Sequence, residues 1–139
     1  RIDPRDAIVF IKRGYVQYAR KEYVKALADY NEAIHLNPKS ANAFGVQAWI
    51  WATCPDETVR NGKKAVESAT RACELNEWNV ANDFDTLAAA YAEIGDFDKA
   101  VEWQEKAIAN SAKNNGNPKG MERLELYKNK TPYREESKD

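Results

Sequence analysis

The chain has 139 residues, enough for one domain with a hydrophobic core and too few for two. Hydrophobic residues make up 43% and charged ones 31%, and 21 basic against 22 acidic side chains leave a formal charge of −1. That balance excludes a chain-wide attraction to nucleic acid or another polyanion, and there is no apolar run of about 18 residues or signal-peptide pattern, which favours the cytoplasm.

Twenty-one alanines against six glycines and five prolines lean toward helix. Pro4 before Arg5 suits a helix start, and Ile8, Phe10, Ile11, Gly14, Tyr15 and Tyr18 recur at helical spacing. Lys21-Glu22 breaks the stripe. Tyr23, Ala26, Leu27, Tyr30, Ala33 and Ile34 resume it until Asn37-Pro38 stops the helix. A third helix is expected from about Ala41 to Thr53, ending at Cys54-Pro55. After a long turn from Pro55 to Gly62, a fourth runs Lys63 to Leu75. A fifth, Ala81 to Ile94, turns at Gly95-Asp96 into a sixth from Phe97 to about Ala112. Asn110 to Asn117 reads as a polar linker. Asn117-Pro118 then offers a cap and a first helical residue, and Met121, Leu124 and Tyr127 recur along a capping helix over residues 118–129. Thr131 to Asp139 is mostly charged and expected to fray, with Pro132-Tyr133-Arg134 as the part able to dock on the surface. Trp78 is expected to plug an inter-repeat turn, and Trp103 to mark a half-exposed convex site.

Residues with catalytic or metal-binding chemistry are few. Cys54 and Cys73 form no C-x-x-C pair and read as buried small hydrophobes. His35 is the only histidine, and the four serines lie in no G-x-S-x-G turn, so neither a metal site nor a nucleophilic triad is expected. Four tryptophans and seven tyrosines invite a stacking platform for nucleic acid. Only the stretch from Arg13-Gly14-Tyr15 to Arg20-Lys21 interleaves aromatic with basic residues, so no nucleic-acid partner is expected. No catalytic residue, metal or cofactor is assigned.

The helices repeat. Pro4 and Pro38 are 34 residues apart, as are Gly14 and Ala48. Phe10, Phe44 and Phe84, and Ala26, Ala65 and Ala100, recur at similar intervals, with five extra residues in the second unit. Small residues at Gly14, Ala48 and Ala88, and at Ala26, Ala65 and Ala100, let neighbouring helices approach closely. In pattern the chain resembles the tetratricopeptide repeat. Phe10, Gly14, Ala26, Tyr30, Ala33 and Pro38 match in the first unit, and Phe44, Ala48, Trp51, Ala65 and Ala72 in the second. Phe84, Leu87, Ala88, Tyr91, Gly95, Asp96, Phe97, Ala100 and Ala107 match in the third. Gln17, Ala69 and Gln104 stand where the family carries an aromatic. The second and third units look like a bacterial variant found at the ends of arrays.

The resemblance implies an all-α fold, a right-handed superhelix of three antiparallel helix-turn-helix hairpins plus a C-terminal capping helix. Its divisions would be 1–4, a remnant of a preceding repeat; 5–40, 41–78 and 79–112, the three repeats; and 113–139, linker, capping helix and tail. The first four residues match the end of a preceding repeat, so the chain reads as cut from a longer array. The first helix would then present an exposed apolar edge at Val9 and Val16, open to weak self-association.

The resemblance also implies a concave groove lined by the first helix of each unit. On this sequence the lining residues are Ile8, Ile11, Tyr15 and Tyr18, then Asn42, Trp49 and Thr53, then Asn82, Asp85 and Glu93, with Ala19, Gly45, Ala52, Ala89 and Ala92 between them. Trp49, at the centre, is the expected anchor. Charge runs from +4 over residues 1–73 to −8 over residues 74–105 and +3 over the rest. A protein or peptide partner with an apolar anchor and a basic end toward the third unit would suit that gradient. Ile11 and Tyr15 stand where the family's chaperone-tail clamp needs a cation and an amide, and Asp85 has the wrong sign for it. The function expected is a non-catalytic interaction or scaffold module without membrane contact. The alternative is a regulatory or structural appendage of a larger multidomain enzyme.

Overall fold

The computed structural model describes residue 3, residues 5–111 and residues 117–137. Among them are seven helices and no strand: α1 Asp6–Ala19, α2 Tyr23–Leu36, α3 Ala41–Thr53, α4 Gly62–Leu75, α5 Ala81–Glu93, α6 Phe97–Ser111 and α7 Pro118–Lys128. Consecutive helices pair as α1–α2, α3–α4 and α5–α6. The hairpins stack through α2 on α3 and through α3 and α4 on α5, and α7 closes the stack on α6. The chain is a helical-hairpin repeat superhelix. Arg1, Ile2 and Pro4, the expected remnant and helix start, and most of the expected linker lie outside the described residues.

Local sequence accounts for the helix ends. Ser40 and Asn61 cap α3 and α4 by accepting from Ala43 and Lys64 amides. Asn117 caps α7 with Pro118 in its first turn, its Oδ1 accepting the Gly120 amide at 2.8 Å. Gly95 takes φ 84° to turn α5 into α6. The small residues sit where hairpins touch: Ala26, Ala48, Ala65, Ala88 and Ala100 are fully buried. A Cβ on Gly14 would lie 3.0 Å from the Tyr30 ring. Both cysteines are free and buried, and burial raises both thiols, Cys73 to about 12.

Three expectations change. The inward stripe of α7 is Gly120, Arg123, Leu124 and Tyr127 at helical spacing, while Met121 points outward, 54% exposed. Trp78 does not plug its turn. Left-handed at φ 59°, it lies over Trp103 at 5.5 Å between ring centroids. Trp103 is covered in turn by Phe84 and by the Lys106 ammonium, so the convex site is largely occupied. Gln104, which departs from the family's aromatic, is fully buried, its Nε2 donating to Asp85 at 2.7 Å and to the Gly120 carbonyl at 3.1 Å.

Candidate functional site

The largest departure from expectation is that residues 131–137 do not fray: Tyr133 and Arg134 dock as the sequence allowed, and the residues after them dock as well. Lys130 turns with φ 55°, the Thr131 amide donates to the Leu126 carbonyl, and residues 131–137 run back non-helically across the repeats. A ring contact, two ion pairs and several hydrogen bonds dock this segment on the face it crosses.

Tyr133 packs on Trp49 with ring centroids 5.7 Å apart, and the Arg123 guanidinium lies over both rings at 5.3 and 5.4 Å. Arg134 pairs with Glu93 at 2.8 Å. The other Glu93 oxygen is 3.3 Å from Arg60, which also donates to the Cys54 and Pro55 carbonyls and so pins the long turn between α3 and α4 to the end of α5. Glu135 is held three ways: its amide donates to the Thr53 carbonyl at 2.7 Å, and Oε1 accepts from the Tyr18 hydroxyl and the Trp49 indole N–H, both at 2.6 Å. The Tyr23 hydroxyl donates to the Glu136 carbonyl, and Lys21 reaches the Glu136 carboxylate and the Ser137 carbonyl. Burial and then the bonded Glu135 carboxylate hold the Tyr18 phenol well above its usual range. Burial pushes Tyr23 up to about 12.

Two depressions flank the tail. One, of about 570 Å³, opens toward the starts of α3 and α5 and is lined by Asn42, Gly45, Trp49, Asn82, Asp85 and Arg123 among others. The second, of about 470 Å³, lies beside Ser137 and is lined by Tyr23, Val24, Cys54, Pro55 and Val59 together with the charged Lys21, Glu22, Lys25 and Asp56.

The ten side chains singled out from sequence therefore divide into groups. Tyr18, Trp49, Thr53 and Glu93 surround the tail. Asn42, Asn82 and Asp85 line the open depression. Ile11 and Tyr15 flank a separate shallow hollow with Val16 and Tyr30, and Ile8 is exposed on α1. Asp85 is not a free groove acid: 7% exposed, it accepts from Gln104, lies 3.4 Å from Arg123 and faces the Asn117 amide. Sequence reasoning missed Arg60, Arg123 and Glu135. Arg60 sits in the inserted turn, and Arg123 is a charged residue on the inward face of α7, where the sequence reading had followed only the apolar Leu124 and Tyr127. Among the described residues no group of three or more His, Cys, Asp or Glu side chains is placed to hold a metal ion, and no helix is long and apolar enough to cross a membrane.

Residues 7–40 match the family model of the tetratricopeptide repeat. No curated protein matches the chain. Among solved structures, the Sgt2 tetratricopeptide domain from Aspergillus fumigatus is 25% identical, with a TM-score of 0.74 over 90% of this chain and 78% of that one. The first tetratricopeptide domain of Spaghetti (RPAP3), bound to the HSP90 peptide SRMEEVD, is 15% identical, with a TM-score of 0.76 over 92% and 94%. The N-terminal domain of stress-induced protein-1 from C. elegans is 18% identical, with a TM-score of 0.65 over 90% and 96%. Residues 7–40 thus form one tetratricopeptide repeat by sequence, and the stack of hairpins as a whole is similar in fold to these tetratricopeptide domains.

Proposed function

We propose that the chain is a protein-interaction module that takes a non-helical segment of a partner across the concave face of its repeats, with units at residues 5–40, 41–78 and 79–112. One observation carries the reading. Residues 131–137 already lie on this face with an aromatic anchor on Trp49, a basic residue at α5 and a carboxylate between Tyr18 and Trp49. Aromatic and arginine anchors in partly desolvated pockets are the usual carriers of binding energy. A partner with an apolar anchor and a basic end toward the third unit fits the same groups.

The HSP90 peptide of the Spaghetti complex is not the favoured ligand. Ile11 packs against the buried apolar cluster, Tyr15 offers no cation, and Asp85 is engaged with Gln104. The test is selection from a displayed random-peptide library on the full chain and on its Trp49→Phe and Tyr18→Phe variants, with SRMEEVD as a comparison. Peptides enriched on the parent and weakened by either variant support the groove. Enrichment indifferent to both substitutions, or preferential capture of SRMEEVD, refutes it. We further propose that the outer face of α1, where Val9 is 65% and Val16 47% exposed, supports weak self-association of two copies.

A further inference from the structure

The tail is more than a lid on the groove, because it names the chemistry the groove selects. We propose that the concave face reads an aromatic–basic–glutamate succession followed two residues later by a large apolar side chain. Residues 133–137 of this chain are its resident, displaceable occupant, so a partner binds by evicting them. The inference rests on the groove reading above and adds the ligand class and the competition.

Each subsite has a distinct requirement. The corner formed by Trp49 and the Arg123 guanidinium takes a flat ring by a tilted ring contact and cation–π attraction. Glu93, already steadied by Arg60, takes a cation next to that ring. The Tyr18 hydroxyl and Trp49 indole N–H converge on one oxygen, and both are donors facing an acceptor. A carboxylate fits them, whereas an amide would gain only neutral bonds of about half the strength. The Thr53 carbonyl takes the backbone N–H of the same residue and fixes the register. At the far end, Tyr23, Val24, Cys54, Pro55 and Val59 give the 470 Å³ depression an apolar wall beside the charged Lys21, Glu22, Lys25 and Asp56, and of the described tail residues Ser137 reaches it. The resident segment satisfies the first three subsites, and a large apolar side chain in place of its serine would bury more of that apolar wall. That is what a competitor needs in order to displace it.

Occupancy in cis sets the threshold. A segment joined to α7 by a few residues has an effective concentration of about 1 mM. If the free segment binds with Kd about 100 µM, it weakens an identical peptide in trans ~10-fold. The experiment uses the full chain and its tail-released variant Tyr133→Ala/Glu135→Ala, with a labelled acetyl-TPYREES-amide peptide read by fluorescence anisotropy. The variant is expected to bind at least ~10-fold more tightly than the parent chain, TPYREEL more tightly than TPYREES, and TPYRQES at least ~10-fold more weakly. Equal affinity for the two proteins overturns the occlusion. Indifference to the Glu-to-Gln change, or no binding to the released variant, overturns the reader chemistry. Equal binding of TPYREEL and TPYREES overturns the apolar subsite. Trp49-dependent library peptides of unrelated chemistry would leave the groove standing and remove this ligand class. Should the variant fail to fold, the parent decides alone: excess TPYREEL must speed hydrogen exchange of the Glu135 amide, and unchanged protection refutes displacement.

Discussion

Asp85 was placed by sequence among side chains free to meet a partner, whereas the structure makes it part of the joint between α5, α6 and α7. Replacing it separates the two. Its side chain and that of Arg123 are 10% and 11% exposed, and Gln104 donates to it at 2.7 Å. Asp85→Ala would leave the guanidinium without its carboxylate and one Gln104 N–H without an acceptor. Breaking a buried ion pair costs about 3–5 kcal/mol, and the 3.4 Å separation puts this one at the low end, about 3 kcal/mol. Asp85→Asn keeps an oxygen for Gln104 and loses only the charge assistance, about 1–1.5 kcal/mol. With an unfolding entropy of about 2 cal/mol/K per residue, 1 kcal/mol corresponds to ~3 °C in a chain of this length. Thermal melts followed by far-UV circular dichroism at pH 7 should show Tm lowered by ~10 °C in the alanine variant and ~4 °C in the asparagine variant. An alanine variant within ~2 °C of the parent would behave as a surface substitution and refute the buried joint.

Three further outcomes are expected. A Cβ on Gly62 would come 2.6 Å from Ile94 Cγ2 and 3.1 Å from Glu93 Cγ, so Gly62→Ala should cost about 1–2 kcal/mol despite alanine's helical preference; a raised Tm would contradict this. Burial raises the Asp83 carboxyl above 3.8, against the lowering effect of the Asn76 hydrogen bond. Ionised Asp83 therefore disfavours folding at neutral pH, and that penalty is lost as pH falls through the raised value toward 3.8. Asp83→Asn should melt above the parent at pH 7 and level with it near pH 3.5; a gap that widens on acidification would reverse the sign. If the outer face of α1 associates, Val9→Lys/Val16→Lys should abolish concentration-dependent growth in light scattering at millimolar protein. A parent that stays strictly monomeric there removes the proposal.

The repeat was legible because its determinants are local. Ala26, Ala48 and Ala65 announce close helix contacts by size alone, and Asn117-Pro118 announces a helix start by cap chemistry. What was illegible depends on long-range pairing. Glu135 in a charged tail looks solvated until Tyr18 and Trp49 are known to converge on it, and no periodicity relates residue 135 to residue 18. Gln104 looked like a departure from pattern, yet it is half of a polar joint whose other half, Asp85, looked like a surface acid. Arg60 lay in an insertion that carries no repeat signal, though it holds the carboxylate that receives Arg134.

Stacked hairpins touch only their sequence neighbours, so their unfolding behaves as a one-dimensional chain in which an end unit melts on its own. The contacts of Glu135 with Tyr18 and of Arg134 with Glu93 tie residues near the end of the sequence to the first and third units at once. Such an array is closed by a strap instead of being open at its first unit. Opening the strap should therefore loosen α1 and α2 more than α5 and α6, and a ligand that lifts the tail would exchange one closure for another.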